Sequence, residues 1–576
     1  MAKQIPSSMR VFLLAFLGLN LLQSGSTPLL YDEAYFWYYA QNPALGYFEY
    51  PPMIAWMIAL GQAFFKGELG IRLITTLFGA GTALFLWLSQ DRRPDKDPLL
   101  FALLFCALPL LHLYTFISLP NSALLFFTAF SLYRYKCYLE NPHRLSIVLL
   151  GLSLAGLLYS EYLGIFVLLI YSFAQPGLLK TKSYWLVLAI CFGLYIPHLI
   201  WLGVNDWVSL RYTFFERPLP EREPLAFTSG TLLKLTLVLG VLTPFTYKGL
   251  LHWRKNEITD RVAFLLSVTL LVFYFLSSFQ RPLGLHMLAL FSLPALLLSI
   301  SFLSDRGKWR RWAWPLAGSQ LAVLLYFRLG LVFPAVALFP HQSNQIERWV
   351  EVLEERSDSL PLVFENNPQK AALFSFYTGK PTYSFNTFRF RKNQYNLDLE
   401  TEGLFRGQRI AYLREQDPMA LSYETKDSIY GKLDIQDPFY TYRNLEAWLD
   451  TDRIESHNIG ARTLLVFNPY ADSIPIGQLK IRVAFRDANR RILESFPAPY
   501  LALPRETKNQ RTVDQAYIRS QDTTEFRITL PLDAPSEARY VQISLSEYGQ
   551  LPGLNGRPIR LRLDDKEEEN TEGKKD

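Results

Sequence analysis

Between residues 31 and 53 the chain reads Tyr31-Asp32-Glu33-Ala34-Tyr35-Phe36-Trp37-Tyr38-Tyr39-Ala40 and then Gly46-Tyr47-Phe48-Glu49-Tyr50-Pro51-Pro52-Met53. Three carboxylates, Asp32, Glu33 and Glu49, stand among six tyrosines, between one apolar run and the next. If 33–41 is helical, Asp32 falls near its N-cap. One reading is an amphipathic helix at a membrane interface, with an aromatic belt and an acidic cap. The other is a set of acids held at the membrane surface against a substrate that is half lipid and half polar. Ionisable groups at a membrane edge are costly to keep and are often functional.

The elements that must position these acids are mostly helices in a membrane. At 576 residues the chain exceeds one core, so two or more domains are expected. Half of the residues are apolar, yet mean hydropathy is only +0.09, because residues 11–333 hold most of the Leu, Phe and Ile and residues 341–576 most of the charge. Eleven apolar segments are candidate spans: 11–24, 71–89, 98–117, 121–136, 145–159, 161–175, 183–202, 229–250, 262–279, 283–303 and 312–333. The stretch 51–66 is shorter and reads as a re-entrant or interfacial helix. No Ala-x-Ala-like site follows the first apolar run, so it reads as a span, not a cleaved signal.

Lys and Arg set the orientation. With the N-terminus inside, the inside segments carry 18 basic residues and the outside loops five: Lys66, Arg211, Arg217, Arg222 and Arg281. Eleven spans then put the C-terminal part outside. The net charge of +6 arises in these short loops, and no basic face on the soluble part suggests nucleic acid. Cys106, Cys137 and Cys191 lie in or beside apolar segments, so no disulfide or cysteine metal site is expected in the exposed part.

Beyond the spans, helical spacing over 345–356, a strand at 360–365, a helix at 369–377 and a strand at 409–413 predict a small α/β segment at 341–455. From 460 to 563, short alternating stretches at 463–468, 478–487, 492–497, 525–531 and 539–547 predict a β-sandwich. The charged tail 564–576 is expected to be disordered. The whole is an α-helical polytopic membrane domain, 1–338, followed by a soluble α/β and β-sandwich part.

The stretch Asp32-Glu33-Ala34-Tyr35-x-Trp37, followed by Gly46-Tyr47-Phe48-Glu49-x-Pro51-Pro52-Met53, resembles the first outside loop of glycosyltransferase family 39. That family includes the protein O-mannosyltransferases and the bacterial lipid A aminoarabinose transferases, all of the GT-C membrane fold. The resemblance continues through Gly67–Leu73, Leu119-Pro120-Asn121, Gly156–Ser160, Ile196–Leu199, Leu210-Arg211-Tyr212, Phe215–Arg217, Ser375–Gly379 and Arg391–Tyr395. It covers roughly residues 1–410.

The resemblance implies transfer of a hexosyl or pentosyl group from a polyprenyl-phosphate donor to an acceptor glycan, lipid or protein. The place implied is the periplasmic face of a bacterial inner membrane. Asp32 would be the base, Glu33 its support, and Glu49 a second acid or a metal ligand, with a divalent metal left open. Tyr35, Tyr50, Arg72, Asn121, Arg211, Arg281 and His286 would contact substrate, with Arg217 and His198 as further candidates.

The chain departs from the family at four places. Asn121 replaces an acid, Tyr50 a histidine, and Glu161 and Leu163 a lysine and a histidine; the last outside loop, Gln280–His286, lacks its glutamate. These departures support a second expectation: a catalytically degenerate relative acting as a scaffold or lipid-glycan-binding subunit, with a protein partner on the C-terminal part. A transporter is a third class, but no internal pseudo-symmetry is visible.

Overall fold

The computed structural model describes residues 5–562 apart from 91–96, 213–219, 221–222, 256, 305–306, 339–345, 389, 415–431, 452–453, 457–458, 503–504, 507–511, 514–516, 532 and 548–549. Arg217, Arg222 and the tail 564–576 thus lie outside the described residues. The chain divides into two compact units, Met1–Trp207 with Arg222–Ile346, and Val208–Glu221 with Glu347–Asp576.

The first unit is helical. It comprises α1 (Ser7–Ser26), α2 (Tyr31–Gln41), α3 (Met53–Gln62), α4 (Gly67–Ser89), α5 (Pro98–Ala107), α6 (Pro109–Tyr114), α7 (Pro120–Glu140), α8 (Arg144–Ser160), α9 (Gly164–Ala174) and α10 (Lys182–Val204). The short α11 (Val208–Arg211) falls with the second unit; the first resumes with α12 (Pro224–Leu239), α13 (Thr243–Leu251), α14 (Ile258–Ser278), α15 (Ser292–Ser304) and α16 (Gly307–Val332).

Each of the eleven expected segments is helical. Among the described residues seven helical stretches are long and apolar enough to cross a membrane, and the other four expected segments are not. The segment 98–117 breaks at Leu108, whose extended backbone (φ −75°, ψ 117°) is what a following proline imposes. α8 and α9 are short, and α7 carries Arg134, Lys136 and Glu140 at its end. The expected short helix after Pro51-Pro52 is α3, ten residues long.

After α11, the second unit continues with most of the helix Ile346–Arg356 and a four-stranded sheet. There Leu362–Glu365 pairs in parallel with Tyr383–Phe385 and Gln408–Arg414, and Lys432–Phe439 adds antiparallel. A five-stranded and a four-stranded sheet follow, sharing a core that includes Leu464, Val483, Phe526 and Ile543. The second pattern starts earlier than residue 460. Glu446–Leu449 pairs antiparallel with Ala461–Phe467, burying Ala447 and Leu449 while Glu446 and Trp448 face out. The α/β part and the sandwich form one unit, joined where Glu402, on the helix Leu399–Phe405, accepts hydrogen bonds from Thr441, Arg443, Asn444 and Tyr470.

Candidate active site

The start of α2 is set by a capping box: the backbone N–H of Leu30 donates to Glu33 Oε2 at 3.1 Å. The same carboxylate accepts from Arg72 Nε at 2.7 Å, from Arg72 Nη2 at 2.5 Å and from the backbone N–H of Ser118 at 2.8 Å. Both side chains of this ion pair are fully buried. The remaining Arg72 N–H groups serve the carbonyls of Ser24, Thr27 and Pro28 at 3.0, 2.5 and 3.0 Å. A guanidinium has five N–H donors, and all five are used here. Arg72 therefore has no N–H left for a phosphate, although the sequence placed it among the substrate contacts. Together Glu33 and Arg72 tie the end of α1, the start of α2, the body of α4 and the residues before α7.

Asp32 stands in the same first turn, but is exposed. One step along a helix turns a side chain by about 100°, so the clamp that buries Glu33 holds Asp32 outward.

The loop after α2 is built on aromatic contacts. Tyr39 and Tyr47 stack with centroids 4.5 Å apart, and Tyr39 Oη donates to Glu49 Oε2 at 3.1 Å. Trp56 Nε1 donates to the Ala44 carbonyl at 2.9 Å, and His198 Nδ1 lies 2.8 Å from the Leu45 carbonyl, which only an N–H can serve. A Cβ on Gly46 would meet the Trp201 ring at 2.3 Å, so only glycine lets α10 approach this closely. His198 is thus a buried grip on the loop. Tyr35 is buried against Tyr39, and the half-buried Tyr50 meets Phe36 edge to face. Glu49 reaches α2 at Tyr39, two turns from Asp32, a rise of about 10 Å. Among the described residues no group of three or more His, Cys, Asp or Glu side chains could hold a metal ion.

A second cluster forms around the start of α7. The Asn121 amide, nearly fully buried, donates to the His286 carbonyl at 3.0 Å and lies 3.5 Å from Glu161 Oε2. Glu161 occupies the turn between α8 and α9 and is buried. Arg281 is half-buried and His286 exposed, on the stretch between α14 and α15. Two further side chains fix that stretch: Tyr274 Oη donates to the Met287 carbonyl at 2.8 Å, and Lys234 Nζ to the Leu283 carbonyl at 2.7 Å. Arg211 ends α11, in the other unit.

Sequence reasoning missed Glu161 as a member of this cluster and Lys234 altogether. The signal for Lys234 was a single lysine inside an otherwise apolar run.

Residues 49–201 match the family described as dolichyl-phosphate-mannose-protein mannosyltransferase. The lipid A galacturonosyltransferase RgtD of Rhizobium johnstonii is 25% identical over 370 residues, 58% of this chain and 72% of the relative. Two solved structures of ArnT from Cupriavidus metallidurans, one apo and one bound to undecaprenyl phosphate, superpose with TM-scores of 0.52. Each is 14% identical and covers 74% of this chain, with 96% of the apo chain and 97% of the bound one. At that identity the likeness concerns the fold.

Proposed function

We propose that the chain, which resembles the GT-C membrane glycosyltransferases in its matched segment 49–201 and in its fold, moves a sugar from a polyprenyl-phosphate donor to an acceptor at the periplasmic face of a bacterial inner membrane. The observation that carries this reading is the exposed Asp32, held outward by a clamp whose own polar groups are spent. In the step proposed, an acceptor hydroxyl oxygen attacks the anomeric carbon. The bond from that carbon to the phosphate oxygen breaks, the polyprenyl phosphate leaves with the electron pair, and the hydroxyl proton passes to Asp32. Glu33 and Arg72 position Asp32 and do not touch substrate. Glu49 and Tyr50 shape the acceptor side, with Tyr35 buried behind them against Tyr39, and Asn121, Arg281 and His286 shape the donor side.

The ArnT structure with undecaprenyl phosphate supports a lipid-linked donor, and the name of RgtD supports a lipid acceptor. The Lys and Arg bias of the loops supports the outer face for the site and for the second unit. Arg211 takes no part in this reading.

The test is transfer from polyprenyl-phosphate-linked sugars by the purified chain. Wild type should transfer, and Asp32→Asn should lose about 100-fold or more, the usual size of an acid–base contribution. Full activity in Asp32→Asn would remove the base. The scaffold reading, which Asn121 and Glu161 favour, expects no transfer by either protein and an unaffected cellular function in Asp32→Asn.

A further inference from the structure

Lys234 lies ten residues into α12, roughly 15 Å from its start. α12 belongs to the stretch Pro224–Leu251, which is long and apolar enough to cross a membrane. An ammonium group at such a place is expensive and usually has a task. The lysine shares the packed stripe of the helix, three residues after the buried Thr231 and four before the buried Val238, and is itself half-buried.

Its Nζ donates to the Leu283 carbonyl at 2.7 Å, and among the described residues no carboxylate pairs with it. An ammonium carries three N–H donors, so a single carbonyl leaves its charge uncompensated.

What surrounds that carbonyl gives the charge a direction. The turn from Leu283 to Met287 is pinned from three helices: Lys234 of α12 at Leu283, Asn121 of α7 at His286 and Tyr274 of α14 at Met287. A Cβ on Gly284 would lie 2.5 Å from the His286 ring, so the imidazole folds back over the residue that follows the Leu283 carbonyl. Arg281 stands two residues before it. The Lys234 ammonium and the His286 ring thus meet one pinned turn, which the Asn121 amide ties to Glu161, and Arg281 precedes that turn in the chain. Arg72, which the sequence also offered as a substrate contact, has no donor left.

We propose that Lys234 is a phosphate-binding residue, meeting the phosphate of the lipid-linked donor together with His286 and Arg281. The assignment rests on the donor reading above and adds to it a contact from within the membrane helix. A group at this depth suits a phosphate that enters on a lipid chain, sideways from the bilayer. It also resolves the replacement of a lysine by Glu161, because the cation is supplied from α12.

The experiment measures undecaprenyl phosphate bound to the full chain, with inorganic phosphate as competitor. Lys234→Gln keeps an N–H for the Leu283 carbonyl and removes the charge; Lys234→Arg keeps the charge. Loss of a charge-assisted hydrogen bond should weaken binding roughly 10-fold or more in Lys234→Gln, while Lys234→Arg recovers most of it. Wild-type affinity in Lys234→Gln would overturn the assignment. So would competition by inorganic phosphate at the concentration of the lipid, which marks a site for free phosphate. A wild-type chain that retains no undecaprenyl phosphate, while melting cooperatively, would overturn the donor reading itself and this assignment with it.

Discussion

Arg72 spends five N–H groups on one carboxylate and three carbonyls, whereas Lys234, in the same helical unit, meets one carbonyl and, among the described residues, no acid. The two cations serve different ends. Burying a charge costs several kcal/mol unless it is paired and hydrogen-bonded, so the saturated arrangement around Arg72 belongs to structure. The unsaturated one around Lys234 keeps its charge available to something that arrives later. The neighbouring acids Glu33 and Asp32 differ in burial: one is buried with four donors, the other exposed beside it.

The largest effect should come from breaking the saturated side. Arg72→Met leaves the Glu33 carboxylate buried without its cation, which typically costs about 3–5 kcal/mol. The yield of folded chain should fall steeply in thermal scans of detergent-solubilised protein. Glu33→Gln with Arg72→Met should regain a large part of the loss, because no charge is then stranded. Equal loss in the single and double variants would mean that the pair is not the source of the stability.

A similar centre lies in the second unit, where Glu402 is fully buried and accepts from Thr441 Oγ1, Arg443 N, Asn444 Nδ2 and Tyr470 Oη at 2.6–2.7 Å. Glu402→Ala leaves several buried donors without an acceptor, at about 1–3 kcal/mol for each group left unsatisfied. It should lower the melting temperature of the second unit and leave transfer at permissive temperature near normal. If the unit melts as wild type, the joint between its α/β and sandwich parts lies elsewhere.

On the exposed side the expected effect is on rate, not fold. Asp32→Asn should melt as wild type while transfer drops about 100-fold, equivalent to about 2.7 kcal/mol. Parallel loss of melting temperature and activity would place Asp32 with Glu33 in the frame.

Much of this frame was legible from the residues. Apolar runs marked helices at all eleven places, and alternation marked the strands at 479–486, 492–497 and 540–547. What escaped is what the chain assembles over distance. Glu33 and Arg72 are 39 residues apart, and neither spacing nor periodicity predicts that they form a buried ion pair. The short strand Glu446–Leu449 offers only two alternations, too few to stand out from a charged neighbourhood. Lys234 was absorbed into the run 229–250, where averaging over a window hides one charge. Pro109 was a readable break that the run around it outvoted.

The smallest effect expected is also the one that most sharpens the contrast. Glu161 lies in the turn between α8 and α9, outside both helices, with Asn121 as its near partner at 3.5 Å and, among the described residues, no ion pair to a basic side chain. A carboxyl buried without a cation avoids the cost of charge by keeping its proton. Glutamine has nearly the same shape and no charge, so Glu161→Gln should change the melting free energy by roughly 1 kcal/mol or less, the size of one ordinary hydrogen bond. Glu161→Lys should cost far more, since it buries an ammonium against the Asn121 amide. Adding Asn121→Asp should recover much of that loss by giving the ammonium an acid to pair with. The coupling between the two sites, read from the double-mutant cycle, should then favour the Asp–Lys pair by 0.5–3 kcal/mol, the usual range for residues in contact. A large loss in Glu161→Gln would mean that the carboxyl is charged and paired in the folded protein. Glu161 would then stand on the saturated side with Glu33, and the charge it meets would have to come from outside the residues that now surround it.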